Sequence, residues 1–255
     1  MKKRDTLVWF LVGIVFYLPF AYLLLLSLAT QWRYPLLLPE SLTGSAWSYV
    51  THNTSGMAQS FYLSFALSLA VAFASSLSGF MVGKTIASLP NKNQFLRLSY
   101  FPYAFSPVIY GFCIYYFFIK MQLIGSVGGV FLAQFMITFP FSVILFTNHW
   151  SRDLLDMEQL VFSLGGSRMQ AFRKVVLPLS KNMLLIGFFQ LFLISWFEYG
   201  LTSVIGLGKV ETLSIKCYQF IGEANTYYAA LASVLLVFPP LILLWLNRRF
   251  VFKFI

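Results

Sequence analysis

Long apolar runs separated by short polar segments constrain this chain more than any other feature. They cover about residues 7–29, 60–83, 98–119, 125–147, 182–205 and 227–246. A helix over each run would be roughly 30–36 Å long, which is enough to cross the hydrocarbon core of a bilayer. With 59% hydrophobic and only 10% charged residues, the chain has too little polar surface for a water-soluble fold. The sequence therefore predicts an all-α membrane protein in which residues 1–255 form one domain with six transmembrane helices.

The distribution of basic residues predicts how these helices are oriented. If the N-terminus lies in the cytoplasm, fourteen of the eighteen Lys and Arg residues are cytoplasmic: Lys2, Lys3, Arg4, Lys84, Lys92, Arg97, Arg152, Arg168, Arg173, Lys174, Lys181, Arg248, Arg249 and Lys253. The four on the outer side are Arg33, Lys120, Lys209 and Lys216. Because cytoplasmic loops are enriched in basic residues, both termini are expected inside. The net charge of +10 is then attributed to loops beside anionic lipid, and nucleic acid is not an expected partner.

A polar segment, Met157–Leu179, lies between the fourth and fifth apolar runs, on the predicted cytoplasmic side. Apolar residues at helical spacing predict that it starts with a short amphipathic helix; they are Met157, Leu160, Val161 and Leu164. Gly165-Gly166 would end this helix, because glycine readily adopts the left-handed conformation. Ser167 would cap a second helix, and Pro178 would start or kink the helix that re-enters the membrane.

The second half of this segment resembles a known motif. The stretch from Gly165 to Pro178, with Arg168, Phe172 and the ending Val-Val-Leu-Pro, is similar to the EAA loop of permease subunits in type I binding-protein-dependent ABC importers. Within that family, the chain is similar to the branch that serves polyamines, iron and thiamine. The first half departs from the family pattern, since Gln-Leu-Val at 159–161 stands where Glu-Ala-Ala is expected and Glu158 lies one residue early.

The resemblance implies a type I ABC-importer permease fold in a bacterial cytoplasmic membrane. It also implies three partners: an ABC ATPase dimer that binds ATP and Mg²⁺, a second permease subunit that is identical or paralogous, and an extracytoplasmic substrate-binding protein. This chain itself would hold no cofactor. The residues expected to couple it to the ATPase are Glu158, Gln159, Leu160, Val161, Leu164, Gly165, Arg168, Phe172 and Pro178.

Within that set, the apolar contacts would be made by Leu160, Val161 and Leu164, and the polar rim by Glu158 and Arg168. The alternative is that the same amphipathic helix lies on the lipid surface.

Two glycine pairs predict close packing rather than nucleotide binding. Residues 79–85 resemble a phosphate-binding loop, but three residues separate the glycines where four are needed, and the stretch ends an apolar run. Gly79 and Gly83 therefore predict close helix approach, within the chain or across a dimer, and Gly125 and Gly129 predict the same. Nucleotide would have to be bound by another subunit.

The histidines argue against a metal site. His52 and His149 are the only two, and the predicted topology places them on opposite sides of the membrane. Because motifs for hydrolases and zinc enzymes are also missing, a non-catalytic subunit without a metal is expected.

Glu198 is the acidic residue predicted to lie within a span. Because a carboxylate is costly to bury in lipid, it is a candidate for a substrate pathway, together with Trp196 and Tyr199. The alternative is an internal hydrogen bond that stabilises the bundle, and the resemblance implies a structural or gating role. Two other functional classes stay open: a secondary transporter or channel that uses Glu198 as an intramembrane coupling acid, and a membrane enzyme or scaffold.

Overall fold

The computed structural model describes residues 2–31, 39–51 and 56–251. Arg33, His52 and Lys253, which contribute to the predictions above, lie outside these residues. The helices of the described chain are α1 (Lys2–Ser27), α2 (Ser45–Thr51), α3 (Met57–Ala87), α4 (Lys92–Tyr100), α5 (Pro107–Lys120), α6 (Val127–His149), α7 (Arg152–Ser163), α8 (Arg168–Ala171), α9 (Leu177–Trp196), α10 (Gly200–Gly206), α11 (Leu213–Gly222) and α12 (Thr226–Val251). Between α1 and α2, strands β1 (Ala29–Gln31) and β2 (Ser41–Leu42) pair antiparallel.

The helices confirm a fold suited to a membrane. Five helical stretches of the described chain are long and apolar enough to cross one: Phe10–Ser27, Met57–Ala87, Val127–His149, Arg168–Trp196 and Thr226–Trp245. A sixth is obtained if the bent pair Lys92–Ala104 and Pro107–Lys120 is counted as one span. The predicted all-helical membrane protein is therefore confirmed, with five or six spans.

The third apolar run is not the continuous helix that was predicted over 98–119. A 3₁₀ turn, Phe101–Ala104, follows α4, and the chain then bends by 97° before α5. Pro107 disfavours a helical conformation at Ser106, which is extended at φ −67° and ψ 150°. The Ser106 hydroxyl then caps α5 by accepting a hydrogen bond from the Ile109 N–H at 3.4 Å.

The fifth run also differs from the single helix predicted over 182–205. Helix begins earlier, at Arg168, and continues through a π-helical turn, Phe172–Val176, into α9. The Leu177 N–H donates to the carbonyl of Phe172, five residues back, which widens the helix just before Pro178. The helix then ends at Trp196, and a break over 197–199 separates it from α10.

Residue contacts divide the chain into two compact units, and the predicted single domain over 1–255 stays a prediction. The first unit contains residues up to 64 together with 211–241. In it, the buried Leu213 N–H donates to Ser64 Oγ at 2.7 Å. The second unit contains residues 65–210 and those from 242 onward.

Within the second unit, α3 and α6 approach each other more closely than side chains would allow. A Cβ atom on Gly79 would lie 1.9 Å from Ser142 Oγ, and one on Gly83 would lie 2.9 Å from the backbone nitrogen of Thr147. Ser75 and Thr138, further along the same two helices, share a hydrogen bond of 2.7 Å. The first predicted glycine pair thus packs two helices of this chain together.

The second glycine pair has a different role from the predicted helix packing. Gly125 lies before α6 with φ +69°, and its N–H donates to the Ile205 carbonyl at 2.8 Å. A Cβ on Gly129 would lie 2.0 Å from the carbonyl oxygen of Leu123. Gly125 supplies the left-handed conformation of the turn that leads into α6, and Gly129, in the first turn of α6, leaves room for the Leu123 carbonyl.

The close approach of α3 to α6 predicts that Gly79→Val destabilises the protein by about 1–3 kcal/mol through overpacking. The matched control is Gly128→Val, because a Cβ at Gly128 on α6 meets no atom within 4 Å. The check is the apparent melting temperature of each purified variant in the same detergent. Equal melting temperatures for the two variants would contradict the packing account.

Candidate functional site

The polar segment between α6 and α9 presents one apolar face to its surroundings. The Ser151 hydroxyl caps α7 by accepting a hydrogen bond from the Leu154 N–H at 3.4 Å. Met157, Leu160 and Leu164 then follow at helical spacing and are 48%, 60% and 80% exposed. Gln159 is also exposed. The predicted amphipathic helix is present, and these three apolar residues are exposed.

The opposite face of α7 is attached to the second unit. Leu154 joins a buried cluster with Phe80, Phe146, Trp150 and Val176. One turn further on, Glu158 is only 8% exposed and forms an ion pair of 2.5 Å with Lys84 at the end of α3. Glu158 therefore faces inward, whereas it was predicted to belong to a polar rim for the ATPase.

Val161 also departs from its predicted position. It is half-buried, whereas an apolar contact for the ATPase would be exposed. Its carbonyl accepts a hydrogen bond from the Gly166 N–H at 2.8 Å, and a Cβ on Gly166 would lie 2.4 Å from Val161 Cγ1. Val161 thus stabilises the turn between α7 and α8.

The turn itself forms as the sequence predicts. Gly165 has φ +79°, the left-handed conformation that ends a helix. Ser167 caps α8, with its hydroxyl accepting from the Gln170 N–H at 3.3 Å and its own N–H donating to Gln170 Oε1 at 2.8 Å. Gln170 was missed, although Ser-x-x-Gln is the pattern of a capping box. Arg168, Phe172 and Pro178 are exposed.

Two of the residues predicted for a substrate pathway have structural contacts. Trp196 is 1% exposed, stacks on Phe192 with 5.6 Å between ring centroids, and meets the edge of Phe65 at 6.3 Å. The Glu198 carboxylate accepts hydrogen bonds from the Leu201 N–H at 2.5 Å and from the Thr202 N–H at 3.0 Å. Glu198 thereby caps the N-terminus of α10, where a negative charge is favourable. Tyr199, which occupies the N-cap position of α10, is half-buried.

A buried polar cluster holds this cap in place. The Thr202 hydroxyl donates to Glu198 Oε2 at 2.7 Å and accepts from the Gln134 side-chain amide at 3.0 Å. The Ser195 hydroxyl donates to Gln134 Oε1 at 2.5 Å. Sequence reasoning missed Gln134 and Thr202. Gln134 could have been noticed, because it is an amide residue in the middle of the fourth apolar run.

Metal-ligating side chains do not gather in the described residues. No three His, Cys, Asp or Glu side chains come together there in a way that could hold a metal ion. The His149 Nε2 atom instead shares a hydrogen bond of 2.8 Å with Ser180 Oγ, which joins α6 to α9.

Comparisons with known proteins identify relatives of this chain. No family model matches it. It is 24% identical over 244 residues to the putative 2-aminoethylphosphonate transport system permease protein PhnV of Salmonella typhimurium, covering 92% of this chain and 89% of that protein. It is 26% identical over 183 residues to the chloroplastic sulfate permease 2 of Chlamydomonas reinhardtii, covering 66% of this chain and 50% of that one.

The fold is also similar to a solved structure. A chain of a bacterial ABC transporter involved in the import of the acidic polysaccharide alginate superposes with a TM-score of 0.73 and 14% identity, covering 98% of this chain and 95% of that one. At this identity the superposition shows the fold, and together with the permease relatives it bears out the prediction of an ABC-importer permease. The apolar helices of the described chain bear out the predicted multi-pass membrane protein, and the relatives are permease proteins.

The geometry around Glu198 predicts different effects for two substitutions. Glu198→Ala removes the cap of α10 and is expected to destabilise the permease by about 1 kcal/mol or more. Glu198→Gln keeps one oxygen, which can still accept from one of the two N–H groups, so its melting temperature should fall less than that of Glu198→Ala. Thermal unfolding of the purified variants checks this, and equal losses in both would contradict a capping role.

Proposed function

We propose that the permease forms the translocation pathway for a small solute and is driven by a separate ATPase that binds the segment 157–179. The observation that carries this proposal is the arrangement of α7, whose exposed face is apolar while its other face is attached to the membrane helices. An exposed apolar surface of this kind is characteristic of an interaction site. The alternative, a secondary transporter that uses Glu198 as a coupling acid, has no support from the relatives, and the Glu198 carboxylate is occupied as a cap.

The mechanism follows from this arrangement. ATP would close the ATPase dimer and move the surface that holds α7. Because α7 contacts both α3 and the end of α6 through Phe80, Trp150 and Leu154, its displacement would be passed to the membrane helices. The permease would then alternate between inward-facing and outward-facing states, whose populations are set by the nucleotide on the ATPase.

The proposed orientation places α7 in the cytoplasm, with both termini inside and six spans if the bent pair is one of them. The second unit supports this placement. Lys84 and Lys92 lie at the same end of the unit as α7, with Lys92 Nζ 3.5 Å from the Thr147 carbonyl oxygen. Lys209, predicted to be outside, lies beside Gly125 at the opposite end of α6.

The proposed partners complete an importer. A second permease subunit, identical or paralogous, would pair with this one, and an ATPase dimer would bind ATP and Mg²⁺. An extracytoplasmic binding protein would deliver the solute. Gln159, Arg168, Phe172 and Pro178 are exposed and stay candidates for contact with the ATPase.

Charged substitutions on the apolar face of α7 test this docking. Leu160→Asp combined with Leu164→Asp should reduce the ATPase recovered with the affinity-purified permease at least tenfold, because docking would bury two unpaired carboxylates and a tenfold loss needs only about 1.4 kcal/mol. The control is Ser163→Asp, which adds a negative charge at another exposed position of the same helix. If the double variant recovers as much ATPase as the control, the docking proposal is wrong.

The turn after α7 provides a second test. Gly165 has a positive φ and open space around it, so Gly165→Val introduces backbone strain without a steric clash. A β-branched residue there should cost at least about 1 kcal/mol and tilt α7, which lowers ATPase association. Gly165→Asn is the matched control, because asparagine tolerates the left-handed conformation. Normal ATPase association in well-expressed Gly165→Val would show that the turn does not position α7.

A further inference from the structure

The Lys84–Glu158 ion pair joins the proposed docking helix to a membrane helix at one point. Glu158 lies on α7, 74 residues from Lys84, which is in the last turn of α3. The Glu158 side chain is 11% exposed and the Lys84 side chain 39%, so the pair is screened from solvent mainly on the Glu158 side. Glu158 is thus directed at Lys84 and is nearly buried, whereas Leu160 and Leu164 are exposed.

Aromatic side chains fix the position of Lys84. Its ammonium group lies 5.3 Å from the centroid of the Trp150 ring, which is a favourable cation–π arrangement. The Trp150 indole N–H donates to the carbonyl of Phe80 at 3.0 Å, and the two rings lie 4.8 Å apart. Lys84 is one helical turn beyond Phe80 on the same helix. The cation is therefore held between α3, Trp150 and Glu158.

The membrane end of this connection is rigid. Gly79 and Gly83 bring α3 against α6 with no space for even one additional carbon atom. α3 is a continuous helix of 31 residues, so a force applied at Lys84 acts on the whole helix. By contrast, the exposed side of α7 is attached to nothing in the described chain.

We propose that the Lys84–Glu158 pair is a positioning element that makes α3 follow α7 when the ATPase moves it. This inference rests on the proposed docking of α7. It assigns Glu158 to transmission inside the permease, and leaves ATPase binding to the exposed apolar face. A partly buried ion pair suits this role, because it adds a directional contact to the apolar packing of Phe80, Trp150 and Leu154, and removing either partner leaves an uncompensated charge.

The test measures whether α7 and α3 move together in the complex purified with its ATPase. Spin labels are placed at Ser163→Cys on α7 and Phe73→Cys on α3, both exposed, after replacement of the native cysteines by Cys113→Ser and Cys217→Ala. The distance between the labels is recorded without nucleotide and with ATP and vanadate. With the ion pair intact, we expect the same mean distance in both states.

Glu158→Gln should make that distance depend on nucleotide, because the ATPase would move α7 while α3 lags behind. Lys84→Arg keeps a cation in place and should behave like the wild type. The matched control is Glu211→Gln, which removes the same charge from the other described ion pair, Lys216–Glu211 at 2.7 Å. This control should also leave the distance independent of nucleotide.

The remaining outcomes separate the two proposals. A distance in Glu158→Gln that is unchanged, or that broadens equally with and without nucleotide, overturns the positioning role while ATPase binding stands. If Glu158→Gln no longer purifies with the ATPase, the variant to measure is the charge exchange, Lys84→Glu combined with Glu158→Lys. Restored assembly with a nucleotide-independent distance then supports the role, and any other result of the exchange overturns it. An ATPase that does not purify with the wild type overturns both proposals.

Discussion

In the hydrocarbon core, a backbone N–H or carbonyl group without a partner has no water to bind, and this constraint governs each break in the membrane helices. The chain interrupts its helices twice within apolar runs, at Ser106 and over 197–199. At each break a side chain supplies the missing acceptor. Ser106 caps α5, and Glu198 caps α10 with two backbone hydrogen bonds. Ser106 and Glu198 thus allow a helix to restart within an apolar run.

The same two breaks bring α5 and α10 together in the second unit. A Cβ on Gly111 of α5 would lie 3.3 Å from Val204, and one on Gly200 of α10 would lie 2.9 Å from Val108. The Gln134 side chain on α6 binds the hydroxyls of Ser195 and Thr202, one on either side of the second break. The short helices α5 and α10 are therefore held by close packing against each other, and the two sides of the second break are joined by the Gln134 side-chain amide.

The apolar helices could be located from the sequence, because partition into lipid depends on the composition of a stretch. Helix caps and turns could be predicted as well, because they depend on residues that are close in sequence. Gly165 and Ser167 were correctly predicted for that reason. The direction in which Glu158 points was not, because the helical period defines a face of α7 but the burial of that face depends on Lys84, far away in sequence. The break at 197–199 was also missed, because Glu198 was interpreted as a single acid within one continuous span, and its role as a cap became evident only with its carboxylate beside α10.

The charged residues around the exposed face of α7 help to distinguish a protein partner from a lipid surface. A helix that lies on an anionic membrane surface carries Lys and Arg along its polar side. On α7 the exposed charged residues are one basic side chain, Arg152, and two acidic ones, Asp153 and Asp156. Acidic groups beside Met157 and Leu160 would be repelled by anionic headgroups, while a protein partner can offer basic groups at the rim of an apolar pocket. The charge pattern of α7 therefore favours a protein over lipid as the surface that Leu160 and Leu164 contact.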